Sequence, residues 1–149
     1  MATRTGDTLN TRQIHESSFG NAVFHHGRYT TAALGNGDVV NLVRIPGGTK
    51  VHKLEILNDE IDTNGAPTAV CKVGYAPVNS DDGPTAVDDY FFAAGQTFLQ
   101  TAATRSVSAA FPIQFNYDVY ITLTMGGAVA TLATTGKIDC LASCEGIGR

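Results

Sequence analysis

Two strand-like runs separated by only three residues constrain this chain more than anything else in it. They are GDVVNLVRI at 37–45 and TKVHKLEILN at 49–58, with Pro46, Gly47 and Gly48 between them. β-Branched residues and leucines dominate both runs, as half-buried strands require. Pro46 presets φ for one turn position and Gly47 is expected to supply the positive φ of a type II turn, which folds the runs into a hairpin. In the first run Val40 and Leu42 share one face, with Val39, Val43 and Ile45 on the other. Apolar residues on both faces mark a strand covered on both sides. In the second run His52, Leu54 and Ile56 share a face opposite Val51, Lys53, Glu55 and Leu57.

The remaining sequence continues in the same character. Charged residues make up only 16% of the 149, and their place is taken by small uncharged residues, including 16 Gly. Such a mixture suits sheets and turns better than long helices. A strand is expected at 21–34, interrupted or bent at Gly27, and another at 68–76 with Ala69, Cys71, Val73 and Tyr75 on one side. The segment 87–95 reads as either a strand or a short helical turn. Strands are expected at 96–102 and 105–115. The run 118–125 alternates Val119, Ile121, Leu123 and Met125 with Tyr120, Thr122 and Thr124. Gly126-Gly127 reads as a primed hairpin turn into a returning strand at 128–134, followed by a last strand at 137–143. Eight or nine short strands with regular turn signals make an all-β sandwich or barrel. Residues 1–20 carry no apolar periodicity and read as an extended arm, disordered alone or laid along a partner. Residues 21–149 then form a single domain.

The chemistry of the chain is mostly legible by exclusion. A net charge of −4 and ten scattered Lys and Arg argue against nucleic acid, which demands a basic stripe. Eight acids against the single Lys72 lie between Glu55 and Asp89, and they read as a solvated outer rim. The N-terminal segment is too polar for a signal peptide, and no run approaches the ~18 apolar residues of a membrane span. Three cysteines, Cys71, Cys140 and Cys144, show no zinc-like pairing and are expected as free thiols in a reducing cytosol. Asp81-Asp82 and Asp88-Asp89 lack the spacing of a calcium loop. No Ser sits in a G-x-S-x-G elbow, and no Gly-rich phosphate loop joins a strand to a helix. Carboxylates of a glycosidase meet only in space, but the absence of Trp and the scarcity of clustered aromatics count against a sugar-stacking cleft. These absences describe a protein that is not an enzyme and has neither cofactor nor metal. His25 and His26 are adjacent, so a strand points them to opposite faces, which fits a surface or interface role better than chelation.

The run GDVVNLVRIPGGTKVHKLEILND resembles a stretch found in small head proteins of tailed bacteriophages, where a G-D-V-V/I-N-L strand leads through a Pro-Gly turn into a V-x-x-L-x-I/L strand. VDDYFFAAGQT and the closing DVYITLTMGGAVATLATTGKIDCLA are similar too, so the resemblance covers most of 34–142. It implies a capsid decoration, or cement, protein with a jelly-roll-like antiparallel β-sandwich and an extended N-terminal arm. The resemblance further implies binding to the outside of the major capsid protein shell, as a homodimer or trimer, with no catalytic residues, no nucleic acid and no membrane. Such a protein is made in the host cytoplasm and resides on the virion surface. Arg4 and Arg12 in the arm, with His25 and Arg28 in the first expected strand, are the candidate capsid or subunit contacts. The rival reading is a carbohydrate- or receptor-binding sandwich, a head fibre or lectin-like module, on the same virion surface.

Overall fold

The computed structural model describes residues 1–7, 22–101 and 104–147. Among these, ten strands follow in chain order: β1 (Thr3–Thr5), β2 (Ala22–Thr30), β3 (Val39–Ile45), β4 (Thr49–Asn58), β5 (Cys71–Pro77), β6 (Val87–Gln96), β7 (Thr104–Val107), β8 (Ile113–Phe115), β9 (Val119–Met125) and β10 (Lys137–Gly146). They form two sheets, one in the order β1-β3-β9-β5-β6 and the other in the order β2-β10-β4-β7, with β8 continuing the β7 edge of β4. All pairings are antiparallel except β1 with β3. From β2 onward the chain changes sheet at every connection except β5–β6 and β7–β8, in the manner of a jelly roll, an all-β antiparallel sandwich.

The inward faces meet in one core. Val40, Leu42, Ile45, Val73, Val119, Ile121 and Leu123 come from the first sheet, and Val51, Leu54, Ile56, Ile138 and Cys140 from the second, all essentially without solvent contact. Each such side chain contributes about 1.5–3 kcal/mol by leaving water. Besides the shifts where β6 pairs with β5, bulges in β3 and β4 adjust the alternation. The register shifts between Asn41 and Val43, which brings Val43 and Ile45 to the core with Val40. In β4 the partners of Ser143 and Cys144 are Lys53 and Val51, so His52 is the extra residue. Val51 therefore joins Leu54 and Ile56 inside, contrary to strict alternation, while His52 and Lys53 both stay exposed.

Topology corrects several local expectations. The runs around 46–48 do not pair: β3 belongs to one sheet and β4 to the other, so the turn is a corner between sheets and not a hairpin. The positive φ falls on Gly48, at 79°, and not on Gly47. Gly47 is needed for another reason, since a Cβ there would stand 2.7 Å from the Asn116 carbonyl oxygen. Likewise β9 hands over to β10 in the opposite sheet, so Gly126-Gly127 is no primed turn, and 128–134 holds only an isolated bridge from Leu132 to Asp62. The expected strand at 96–102 holds instead a 3₁₀ turn, Phe98–Gln100, which buries both Phe98 and Leu99. The expected strand at 105–115 is two pieces, β7 and β8, split by an excursion at 108–112. The open segment 87–95 is a strand.

The sandwich edge is closed by the first seven residues. Gly6 N donates to Asn41 O in β3 at 2.7 Å, and Asp7 N donates to Arg28 O in β2 at 2.5 Å. The Asp7 carboxylate accepts from Thr30 N and Oγ1 at 2.8 and 2.5 Å. Residues 1–7 of the expected arm thus lie on the chain's own two sheets, and 8–20 fall outside the described residues. Beneath this edge Gly27 faces inward, where a Cβ would come within 2.0 Å of the Leu42 oxygen, so the close approach of β2 and β3 admits glycine alone.

One acid expected in the solvated rim is structural. Asp62 is fully buried and accepts from Thr68 N (2.8 Å), Ala69 N (3.0 Å), Ala130 N (3.2 Å) and Thr131 N (3.0 Å), which joins the β4–β5 connection to the β9–β10 connection. Burial alone would raise its pKa, but the N–H groups of Thr131, Thr68, Ala130 and Ala69 overrule burial and hold it at about 2. A carboxyl depressed below its ordinary ~3.9 stabilises the fold fully above that range, and the contribution fades as pH falls towards the folded value. Asp62→Ala is expected to cost on the order of 3 kcal/mol by depriving the N–H groups of Thr68, Ala69, Ala130 and Thr131 of their shared acceptor. Urea denaturation at pH 7 measures this. The difference between wild type and variant should shrink as the titration is repeated below pH 4; a constant difference contradicts the assignment.

Candidate interaction surface

The outer face of the second sheet gathers the side chains most suited to contact another macromolecule. Strand alternation turns Phe24, His26 and Arg28 outward from β2, and Asp139, Leu141 and Ser143 outward from β10. Lys53, Glu55 and Leu57 come from β4, with Arg105 and Val107 from β7. The register sets them in cross-strand rows: His26, Leu141, Glu55 and Val107 in one; Arg28, Asp139, Leu57 and Arg105 in the next; Phe24, Ser143 and Lys53 on the other side.

Charges on this face are neutralised in a consistent way. Asp139 receives Arg28 Nε at 2.7 Å and Nη2 at 2.9 Å, with His26 Nε2 at 3.0 Å. Glu55 binds Arg105 and Lys53 together, and His52 Nε2 lies 3.0 Å from Glu145. The acids sit low and the cations stand out: Glu55 is 5% exposed against 59% for Arg105, and Asp139 is 21% exposed against 42% for Arg28. Hydrogen bonds from Lys53 and Arg105 hold the Glu55 carboxyl below its ordinary pKa. Partial burial pushes Asp139 up, but Arg28 and His26 outweigh it and leave it lowered, and in return Asp139 raises Arg28. Guanidinium groups fixed in this way lose little freedom when a partner arrives.

One exposed aromatic stands on this face and another on the loop that joins β7 to β8. Phe24 is 64% exposed, and Phe111 is 86% exposed at the tip of the 108–112 excursion. That excursion is braced rather than loose. Tyr90 Oη donates to Phe111 O at 3.0 Å, Ser108 Oγ donates to Phe91 O at 2.8 Å, and Ala110 N donates to Ser108 Oγ at 3.1 Å. Preorganised Arg and aromatic side chains on a firm scaffold are the composition of binding hot spots.

The four candidate contacts distribute unevenly. Arg28 stands on this face. His25 is turned inward and buried, because alternation gives the outer position to His26. Arg4 lies at the far edge of the first sheet, where its Nε and Nη2 donate to Asp38 Oδ2 at 3.2 and 3.1 Å. Asp38 also accepts from Gly35 N and Ala2 N, and the Gly35 and Ala2 bonds, with Arg4, lower its pKa. Arg12 falls outside the described residues. Sequence reading missed Glu55, Arg105, Leu141 and Phe111; only the register reveals that the first three adjoin Arg28. Glu55, like Asp62, leaves the expected solvated rim, whereas Asp81, Asp82, Asp88 and Asp89 are exposed as expected.

Among the described residues no group of three His, Cys, Asp or Glu is placed to hold a metal ion. Cys71 and Cys144 are buried thiols pushed up to about 12 by burial, and Cys140 is raised further in the same way, so none forms a thiolate at neutral pH.

No protein-family model matches the sequence, and neither does any curated protein. Solved structures do match. A chain in the capsid of Ralstonia phage GP4 is 20% identical with a TM-score of 0.82, covering 99% of both chains. A chain of the cyanophage Pam1 capsid asymmetric unit is 17% identical with a TM-score of 0.66, covering 91% of this chain and 94% of that one. A chain in the acid-stable capsid of Helicobacter pylori bacteriophage KHP30 is 16% identical with a TM-score of 0.53, over 87% and 90%. At these identities the likeness is one of fold. Since Phe24 makes no core contact, Phe24→Ser is expected to change folding stability by less than ~0.5 kcal/mol in a urea titration. A loss above ~1.5 kcal/mol would assign the ring to the fold.

Proposed function

We propose that this chain is a structural protein of a tailed-bacteriophage virion that binds the outside of the major capsid protein shell and stabilises the DNA-filled head, without catalysis. The observation that carries this reading is the end-to-end correspondence of the whole chain with a chain of the Ralstonia phage GP4 capsid. The outer face of the second sheet supports it: paired charges and exposed Phe24 suit a protein surface, and the net charge of −4 does not suit DNA. A protein that binds the assembled lattice better than free subunits shifts the equilibrium towards the intact shell by mass action. Many copies multiply a modest contact into a large effect, and a homodimer or trimer adds avidity by linking two or three contacts.

In this arrangement the outer face of the second sheet lies on the shell and the exposed acids at 81–89 point away or sideways. The arm beyond Asp7, with Arg12, adds contact to the shell or a neighbouring copy. Purified protein mixed with naked capsids is expected to co-sediment at a stoichiometry matching the lattice. Leu141→Glu and Phe24→Ser should each weaken binding about tenfold, roughly 1.4 kcal/mol per contact. Absence of wild-type binding sinks the capsid reading, whereas binding that ignores both variants sinks only the choice of face. Replacing residues 9–18 by a Gly-Ser linker of equal length should lower occupancy while leaving β1 in place; unchanged occupancy and capsid stability would show that the arm's own side chains contribute nothing.

A further inference from the structure

At the end of the sandwich that carries the 46–48 corner, the β5–β6 loop and the 116–118 turn enclose two adjoining cavities. One, of about 380 Å³, is walled by Arg44, Asn79, Asp82 and Asn116. The other, of about 290 Å³, is walled by Tyr75, Pro84, Ile113 and Phe115. Tyr117 stands in the wall of both and is 53% exposed. The sequence hides this grouping, because Tyr75 comes from β5, whereas Phe115 ends β8 and Tyr117 lies in the turn that follows it. In space Tyr75 packs edge-on against Phe115 with ring centroids 4.9 Å apart, and against Tyr90 at 5.6 Å. The scarcity of clustered aromatics expected from the sequence does not hold at this end.

The polar wall is fixed but not saturated. Asp118 is held by Arg44 Nε and Nη2 and by Gly47 N at 2.8 Å. Among the described residues Arg44 Nη1 makes no bond, and neither do the Nδ2 groups of Asn79 and Asn116, whose Oδ1 atoms accept from Asp81 N and Gln114 Nε2. The Asp82 carboxylate accepts none either, although its own N–H closes a turn onto Asn79 O at 3.3 Å. The 78–86 loop is secured at its base by Val78 N donating to Asp118 O at 3.0 Å.

We infer that this cleft binds a neutral saccharide. An exposed tyrosine ring offers an apolar platform for the C–H face of a pyranose. Fixed donors at Asn79, Asn116 and Arg44, beside an acceptor at Asp82, match vicinal hydroxyls, each of which donates and accepts. Apolar walls with a few convergent polar groups are the usual form of a small-ligand site. Asp118 offsets Arg44, and Asp82 with exposed Asp81 nearby leaves a net negative charge that disfavours phosphate, sulfate and sialic acid, so the ligand is uncharged. This activity is independent of capsid attachment. A virion-bound copy with its acidic loops outward carries the cleft at its free end.

A glycan array carrying neutral hexose and N-acetylhexosamine oligosaccharides, with sialylated and sulfated glycans as the contrasting arm, tests the inference on the full chain. Wild type should bind members of the neutral set. Tyr117→Ala should weaken that binding at least tenfold, Tyr117→Phe should retain it, and Asp82→Asn should weaken it. Thermal melting should be unchanged in all three, since both side chains are exposed. Tyr117→Ala should leave capsid occupancy unaltered. No neutral glycan bound, binding confined to anionic glycans, or binding indifferent to Tyr117→Ala overturns the inference. A fall in capsid occupancy for Tyr117→Ala without any glycan binding overturns it too, by making the cleft a protein contact.

Discussion

Two apolar sheet faces can close on one another here only because the chain changes sheet at most of its connections, and every change carries backbone polar groups past a dry core. Those groups must find partners inside, since an unmade bond costs more than a made one returns. Backbone-to-backbone bonds between connections meet part of this need, and three side chains add to it. Asp62 gathers N–H groups from two connections. Asn58 Nδ2 donates to the carbonyls of Phe98, Asp59 and Thr101, and Thr31 Oγ1 donates to those of Gly136 and Ala133. Glycines then mark the places where one backbone must touch another, as Gly27 does at Leu42 and Gly47 at Asn116. The firmness of the outer faces follows from these corners.

How much of this was legible depends on whether the information is local. The strands themselves were read well, because alternation is a property of neighbouring residues: Val119 to Met125 and Ala69 to Tyr75 bury the faces that the pattern selects. Pairing is not local. Pro46-Gly47-Gly48 serves a hairpin or a corner between sheets equally well, and only the competition of β9 for β3 and of β10 for β4 decides. The bulges at Leu42 and His52 are equally silent, since one extra residue leaves no mark in composition. Two acids in a polar stretch looked solvated because sequence cannot show four amides converging on Asp62 or two cations on Glu55.

The surface legible in sequence was thinner still. Arg28 was singled out, but its meaning depends on Asp139, more than a hundred residues away, which turns a lone cation into a fixed guanidinium. His25 and His26 show how a one-residue change of face separates a buried ring from an exposed one. The resemblance to phage head proteins rested on strand-and-turn patterns, and the fold agrees with it. The molecule then divides its surface between a charge-paired sheet face suited to a broad protein contact and an end cleft suited to a small ligand.

A reconstruction of the intact virion at a resolution that traces strands is the most direct measurement of the central claim. The account predicts density for this jelly roll on the outside of the shell at lattice positions, with β2, β10 and β4 facing the major capsid protein. Finding the protein absent from the capsid exterior would contradict it.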